Sequence, residues 1–404
     1  MSFYYLLFLG GKMSFSDFDQ LVKRLGDGEV VQTAAGEKIF KLSPFGGNPI
    51  VKPQDLGLTW QENGRLKIGA VFNGGAEYFN EKIILVPRCH QNYQQKKSFD
   101  KELKIERYWL DNYISEIWPL VSEDGVDFKR YDNTVIRGDG IDHQDFTYGI
   151  EDIRIVKHGQ RYILVGAGKL KPPFKGSNAD RAAIYSTEDF INITYHGIID
   201  SFDNRNAIPI FNDDKVYMLL RFHPNINLVI LEGGMEQLLN PSRYKENWEK
   251  IYQQRDENIL IESGRYSHEK EKVGAGTPLI KTGRGSLLIY HAVGEINEDI
   301  CKGYGLTGKI KRAYTVCAAI LDLDNPKKVL CRTKNPIYIP HTPYELEGNK
   351  QYPVDVPNVV FPVGSIVKNN KLLLYCGAGD KYTILLSCDI NKLIDYIFKN
   401  CKVE

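Results

Sequence analysis

The sequence predicts an all-β fold, a five-bladed β-propeller with short N- and C-terminal helices. Two observations carry this. A unit of strand, tight polar turn and strand recurs five times, around 72–85, 155–165, 208–219, 278–290 and 364–375. Asn, Asp or Gly sits at each hinge, and these residues tolerate the positive φ of hairpin turns. Each copy also opens on polar, charged or Gly-rich residues: Asn73, Glu151-Asp152, Asn204-Arg205-Asn206, Lys272-Val273-Gly274-Ala275-Gly276 and Asn358. In a propeller such strand starts line the central funnel. A β-sandwich offers the same hairpins but no reason to repeat the polar starts.

In chain order, the apolar tip at 3–9 is too short to span a bilayer. It lacks the basic flank and cleavage site of a signal peptide, and Met13 is an alternative start. Ser14 or Ser16 can cap a helix that carries Phe18, Leu21, Val22 and Leu25 on one face and closes at Gly26. Residues 1–45 read as an extension with this helix, and 46–404 as the propeller. The charged run 96–107 reads as a solvated face or short helix, and the glycine-containing stretch 300–312 as a long mobile loop or lid. Asp389 caps a helix of period 3.6 that ends the chain.

Composition narrows the function. The 404 residues are 42% hydrophobic and 25% charged, with a net charge of +1, which argues against a general nucleic-acid binder. Seven cysteines, an odd number without a CxxC pair, imply free thiols in a reducing, cytoplasmic setting and no zinc site. No metal or cofactor is expected, and no membrane partner. A homo-oligomer is allowed.

The chemistry is placed at Tyr148-Gly149-Ile150-Glu151-Asp152-Ile153-Arg154, where two acids and a base crowd the mouth of an apolar strand. Charges there are costly unless paired or functional. The plainer reading is an Asp/Arg pair that pins a strand end. Arg154 reads as a partner of the acids.

Those residues resemble glycoside hydrolase family 130, the β-mannoside phosphorylases and their hydrolase relatives. The resemblance runs from about Asn48 to the C-terminus. It includes the segment 149–154, Lys272-Val273-Gly274-Ala275-Gly276-Thr277-Pro278, Ile289-Tyr290-His291, Asn358-Val359-Val360-Phe361-Pro362 and Ala378-Gly379-Asp380. Ile153, Leu220 and Ser286 depart from the family pattern and bear on the aglycone side. The resemblance implies a five-bladed propeller and inverting phosphorolysis of a β-mannoside to α-mannose 1-phosphate, or the reverse synthesis. It assigns the general acid to Asp152. It assigns phosphate binding to Arg205, Arg221, Lys272 and His291, with His223 as a weaker candidate. It assigns sugar binding to Asn73, Arg88, Glu151 and Asp380. The partners implied are a β-mannoside or oligomannan, closest in look to β-1,2-linked substrates, with inorganic phosphate as co-substrate.

This assignment makes chemical sense. Inverting hydrolysis needs two carboxyls, one of them to activate water. Phosphate is already a nucleophilic anion, needs no base, and is held by charge-assisted hydrogen bonds. One acid with a basic cluster therefore points to a phosphorylase. The alternatives are a β-mannosidase that uses water and a carbohydrate-binding propeller without turnover.

Overall fold

Alternating apolar residues and Asn/Gly hinges build five consecutive antiparallel sheets, arranged as the five blades of a propeller. The computed structural model describes residues 16–101, 104–137, 146–170, 179–212 and 214–402. The apolar tip, Met13 and Ser14 lie outside the described residues. Blade 1 begins with Ala70–Phe79 and Lys82–His90, and blade 2 runs Ile150–His158, Arg161–Lys169, Asp180–Thr187 and Thr194–Ile199. Blade 3 is Ile208–Asn212, Lys215–Leu220, Ile226–Ile230 and Ile259–Ile261. Blade 4 runs from Lys272–Ala275 through Gly285–Ile296 and Ile310–Leu321 to Val329–Arg332. Blade 5 is Val360–Lys368, Lys371–Ala378 and Tyr382–Asp389, with Ser43–Pro44 as its outermost strand. The ring is thus closed by a strand from the start of the chain, which pairs Ser43 with Ser387 and Pro44 with Leu386. The last sheet therefore draws on residues before 46.

The hydrophobic core is a set of layers between blades. Ile84 and Val86 meet Ile153, Ile155 and Leu164 between blades 1 and 2. Val165 and Ile184 meet Met218 and Leu220 between blades 2 and 3, so Leu220 belongs to packing. The two terminal helices fill the layers on either side of blade 5. Ser16–Arg24 buries Phe18, Leu21 and Val22 with Leu25 against Leu85 and Tyr375. Ile390–Asn400 buries Leu393, Ile394 and Ile397 beside Ile320 and Leu386. Asp389 caps it as predicted, accepting from Lys392 N at 3.0 Å.

Near the axis the inner strands crowd. A Cβ on Gly75 would lie 2.6 Å from the Ile153 carbonyl oxygen of blade 2, and one on Gly364 would lie 2.7 Å from Ala76 Cβ of blade 1. Glycine is what lets those backbones approach.

One sequence expectation fails. Residues 300–312 are not a free loop: Glu298–Gly303 is helical, Asn297 Oδ1 caps it by accepting from Ile300 N at 2.8 Å, and Ile300 and Cys301 are buried. The glycines there serve turns, with φ 75° at Gly305 and 73° at Gly308. The charged run from 96 takes the first of its two readings, a solvated face, and is not a helix. Gln94–Asp100 pairs with Ile105–Asp111 as a hairpin carrying exposed ion pairs such as Lys97–Glu106 at 3.3 Å. Among the described residues, the helical insertion of blade 3, Gly234–Leu239 and Lys245–Gln253, was not anticipated; it buries Trp248. All seven cysteines are unpaired and buried, and no described helix is long and apolar enough to cross a membrane.

Candidate active site

The site begins with a backbone device. The inner strand slips register between Phe72 and Gly75 in blade 1 and between Glu151 and Arg154 in blade 2. Asn73 (φ 55°) and Asp152 (φ 54°) occupy the slips in the left-handed region. Asn and Asp enter that region at less cost than other non-glycine residues. A bulge re-aims side chains that the pleat would otherwise alternate. Here Asn73 Nδ2 donates to Asp152 Oδ1 at 2.8 Å.

Around Asp152 lies a buried ionic cluster. Arg88 Nη1 reaches Glu151 Oε2 at 2.9 Å and Arg88 Nε lies 3.5 Å from Asp152 Oδ1. Arg205 Nη2 donates to Glu151 and lies 3.5 Å from Asp152 Oδ2, while its Nε faces Asp180 Oδ2 at 3.3 Å. Asp180 is held in turn by Lys169 Nζ at 2.6 Å. Burial acts to raise the Glu151 carboxyl, but Arg88 and Arg205 overcome it and hold the group well below the usual range. The cluster is balanced, with Arg88, Lys169 and Arg205 facing Glu151, Asp152 and Asp180.

The neighbouring cluster is not balanced. Arg221 Nη1 donates to Asn206 Oδ1 at 3.0 Å, and Lys272 Nζ lies 5.2 Å from the centre of the Tyr314 ring. Neither cation has a carboxylate ion-pair partner among the described residues. Burial, then repulsion from Arg205, brings Arg221 down to about 10. Burial also lowers Lys272. Burial alone would raise the Tyr314 phenol, but Lys272 and Arg312 bring it down to about 7. His291 is fully buried against Phe361, its ring centroid 4.4 Å away, and neither ring nitrogen has a partner among the described residues. Burial, then Arg221 and Lys272, hold its imidazole neutral. It therefore enters the cluster as a neutral donor or acceptor.

Asn73, Arg88, Glu151, Asp152, Arg205 and Asp380 thus share one mouth, and Arg221, Lys272 and His291 lie within its field. Arg154 differs from its sequence reading. Among the described residues it makes no ion pair with an acid side chain. It donates to the carbonyl oxygens of Asp152 at 2.7 Å, Gly276 at 3.1 Å and Ala275 at 3.2 Å, tying blade 2 to blade 4. His223 keeps much of its surface in water, and what burial it has, followed by Arg221 and Lys272, lowers its imidazole. Ile153 is buried in the layer between blades. Sequence reasoning missed Lys169, Asp180, Arg312 and Tyr314. Their only signal was a charged or polar group at the end of an apolar strand. His268, Glu269 and Cys317 come within metal-ligand reach of one another, but Arg332 already pairs with Glu269 at 2.6 Å, so the cluster does not suit a cation.

Asp380 (φ 49°) is half-buried at the blade 5 side of the mouth. Burial lifts its carboxyl from 3.8 to about 6, with Arg88 opposing and Asp152 and Asp355 adding. A raised carboxyl contributes stability that is present below its ordinary value and lost as pH rises through the folded one. Asp380→Asn is therefore expected to melt higher than wild type at pH 8 and nearly the same at pH 4. Equal melting temperatures at pH 8 would contradict this.

A propeller whose mouth holds Glu151, Asp152 and Asp380 in an ionic cradle, beside two cations without a carboxylate partner among the described residues, suits a carbohydrate-active enzyme that takes an anion. The family model described as beta-1,4-mannooligosaccharide phosphorylase matches residues 48–399. The chain belongs to glycoside hydrolase family 130, the β-mannoside phosphorylases. It is 28% identical over 346 residues to the beta-1,2-mannobiose phosphorylase of Thermoanaerobacter sp., covering 85% of this chain and 96% of that one. It is likewise 28% identical over 346 residues to a 1,2-beta-oligomannan phosphorylase of the same organism, covering 85% of this chain and 95% of that one. The solved complex of the Listeria innocua beta-1,2-mannobiose phosphorylase with beta-1,2-mannobiose superposes with a TM-score of 0.62 at 22% identity, over 88% of this chain and 99% of that one.

Proposed function

We propose that this protein cleaves a β-1,2-linked mannoside by inverting phosphorolysis. Asp152 gives its proton to the glycosidic oxygen as the bond to C1 breaks. Phosphate attacks C1 from the opposite face, and α-mannose 1-phosphate and the shortened mannoside leave. The hydrogen phosphate supplies the proton that restores Asp152. Arg205, Arg221, Lys272 and His291 hold the phosphate, while Asn73, Arg88, Glu151 and Asp380 form the sugar side. The linkage rests on the relatives' substrates. The observation that carries the nucleophile is the pair Arg221 and Lys272, without a carboxylate counter-ion among the described residues and close enough to His291 to hold it neutral. Cations destabilised by burial and mutual repulsion gain most from an incoming anion. Seven unpaired, buried thiols support a cytoplasmic setting.

The test is release of α-mannose 1-phosphate from β-1,2-mannobiose, followed by phosphorus NMR. Release should require inorganic phosphate, and phosphate-free buffer should yield almost no free mannose. Rapid mannose release without phosphate would make water the nucleophile. A hydrogen bond to a charged group contributes about 1.5–3 kcal/mol. Lys272→Ala is therefore expected to raise KM for phosphate about 10- to 100-fold. KM for the mannoside should stay within about twofold, because Lys272 faces the nucleophile. Equal changes in both constants would remove Lys272 from the phosphate site.

A further inference from the structure

Arg205 is held more firmly than a ligand-binding arginine requires. Its Nη2 is taken by Glu151 and faces Asp152 at 3.5 Å, and its Nε faces Asp180 at 3.3 Å. The Nε–Asp180 contact is an ion pair and not a hydrogen bond, since Asp180 Oδ2 accepts none among the described residues, and Nη1 has no partner there. The guanidinium thus has carboxylates on two sides and presents one end.

Asp180 accounts for much of that arrangement. It is 1% exposed, so its charge is out of water. Lys169, its cross-strand partner, balances it at 2.6 Å and leaves Oδ2 to Arg205. The main chain of Asp180 acts on the same target. Its carbonyl oxygen accepts from Asn204 N at 3.0 Å, one residue before Arg205. The Asn204 side chain then donates to the Arg221 carbonyl oxygen at 3.3 Å. A single residue of blade 2 therefore fixes the backbone beside Arg205, the side chain of Arg205 and, through Asn204, the start of the segment bearing Arg221. A buried ion pair contributes little net stability and is often replaced by apolar residues without loss. Its value here lies in orientation, since a buried carboxylate beside Nε draws that edge of the planar guanidinium towards itself and leaves Nη1 on the far side.

We propose that Asp180, charge-balanced by Lys169, is a positioning residue that aims Nη1 of Arg205 at the phosphate and so sets phosphate affinity. The proposal rests on the reading that Arg205 contacts phosphate. Its sign is informative. Deleting an anion near a phosphate site would, through charge alone, tighten phosphate binding. Loss of orientation loosens it.

The test is steady-state kinetics of the full chain with β-1,2-mannobiose and inorganic phosphate. Asp180→Asn is expected to raise KM for phosphate about tenfold, the scale of one charge-assisted hydrogen bond. KM for mannobiose should stay within about twofold. In the reverse direction, KM for α-mannose 1-phosphate should rise in parallel. Asp180→Asn strands the Lys169 charge, so Asp180→Asn with Lys169→Met is the second variant. It should recover melting temperature without recovering phosphate affinity. The discriminating measurement is a double-mutant cycle with Arg205→Ala. Asp180→Asn should add nothing to the phosphate KM of Arg205→Ala, whereas a general structural defect would add its full effect.

An unchanged or lowered phosphate KM in the folded double variant, with Arg205→Ala still raising it, overturns the role of Asp180 and leaves the phosphate reading standing. Additive effects in the cycle overturn it too. An Arg205→Ala enzyme with wild-type phosphate KM removes Arg205 from the phosphate site, and the proposal falls with it.

Discussion

Asp152→Asn is expected to slow turnover of the natural β-mannoside by ~10²–10⁴-fold, the usual contribution of a general acid. The protein should remain folded. Asn tolerates the left-handed backbone at position 152 (φ 54°) as well as Asp does, and it can still accept from Asn73 Nδ2 through its amide oxygen. Asp152→Ala would mix loss of the acid with backbone strain, so Asn is the cleaner substitution. The new amide nitrogen would face Arg205 Nη2, now 3.5 Å from Oδ2, and donor facing donor costs some stability. The defect should shrink with an aryl mannoside whose leaving group departs without a proton, provided the site admits it. Mannobiose turnover near the wild-type rate would remove Asp152 from the acid role.

The blades were legible because their signals are local. Lys368-Asn369-Asn370-Lys371 announces a two-residue hairpin, and the structure pairs Lys368 with Lys371 across Asn369 (φ 51°) and Asn370 (φ 62°). The funnel residues were legible for a related reason. A bulge that aims a polar side chain inward needs Asn or Asp at positive φ, and Asn73 and Asp152 stand at the inner-strand starts. What stayed hidden depends on contacts between distant segments. Arg154 sits two residues from Asp152, yet two of its three acceptors, Ala275 and Gly276, lie 121 and 122 residues away. Asp180 and Lys169 read as ordinary strand ends until blade 3 brings Arg205 against them. The glycines at 303, 305 and 308 suggested a lid; the Asn297 cap and buried Ile300, a local signal and a packing signal, outweigh them.

Arg88→Met is expected to lower stability by about 3–5 kcal/mol at neutral pH, the cost of removing one partner of a buried ion pair. Arg88 is 6% exposed and lies 4.1 Å from the centre of the Phe72 ring, with the Tyr113 ring on another side at 5.9 Å. Methionine can fill that apolar slot, so the loss should report charge more than packing. Glu151 would keep Arg205 and the Ser115 hydroxyl, which donates at 3.3 Å, but its carboxylate would be buried with one guanidinium fewer. The sign with pH follows from linkage. The Glu151 carboxyl is held below its ordinary 4.5 in the folded protein. Its contribution is therefore present above the ordinary value and lost as pH falls below it. The stability gap between wild type and Arg88→Met, measured by urea unfolding, should be widest near pH 7 and narrow on acidification. Adding Glu151→Gln should recover part of the lost stability, because the stranded charge goes with it. It should not recover turnover, because Arg88 also borders Asp152, 3.5 Å from Oδ1. A gap of constant size from pH 7 down to about pH 3, well below the ordinary carboxyl value, would mean that Arg88 stabilises the fold by packing, and that the Arg88–Glu151 pair is not what holds the acid side of the funnel together.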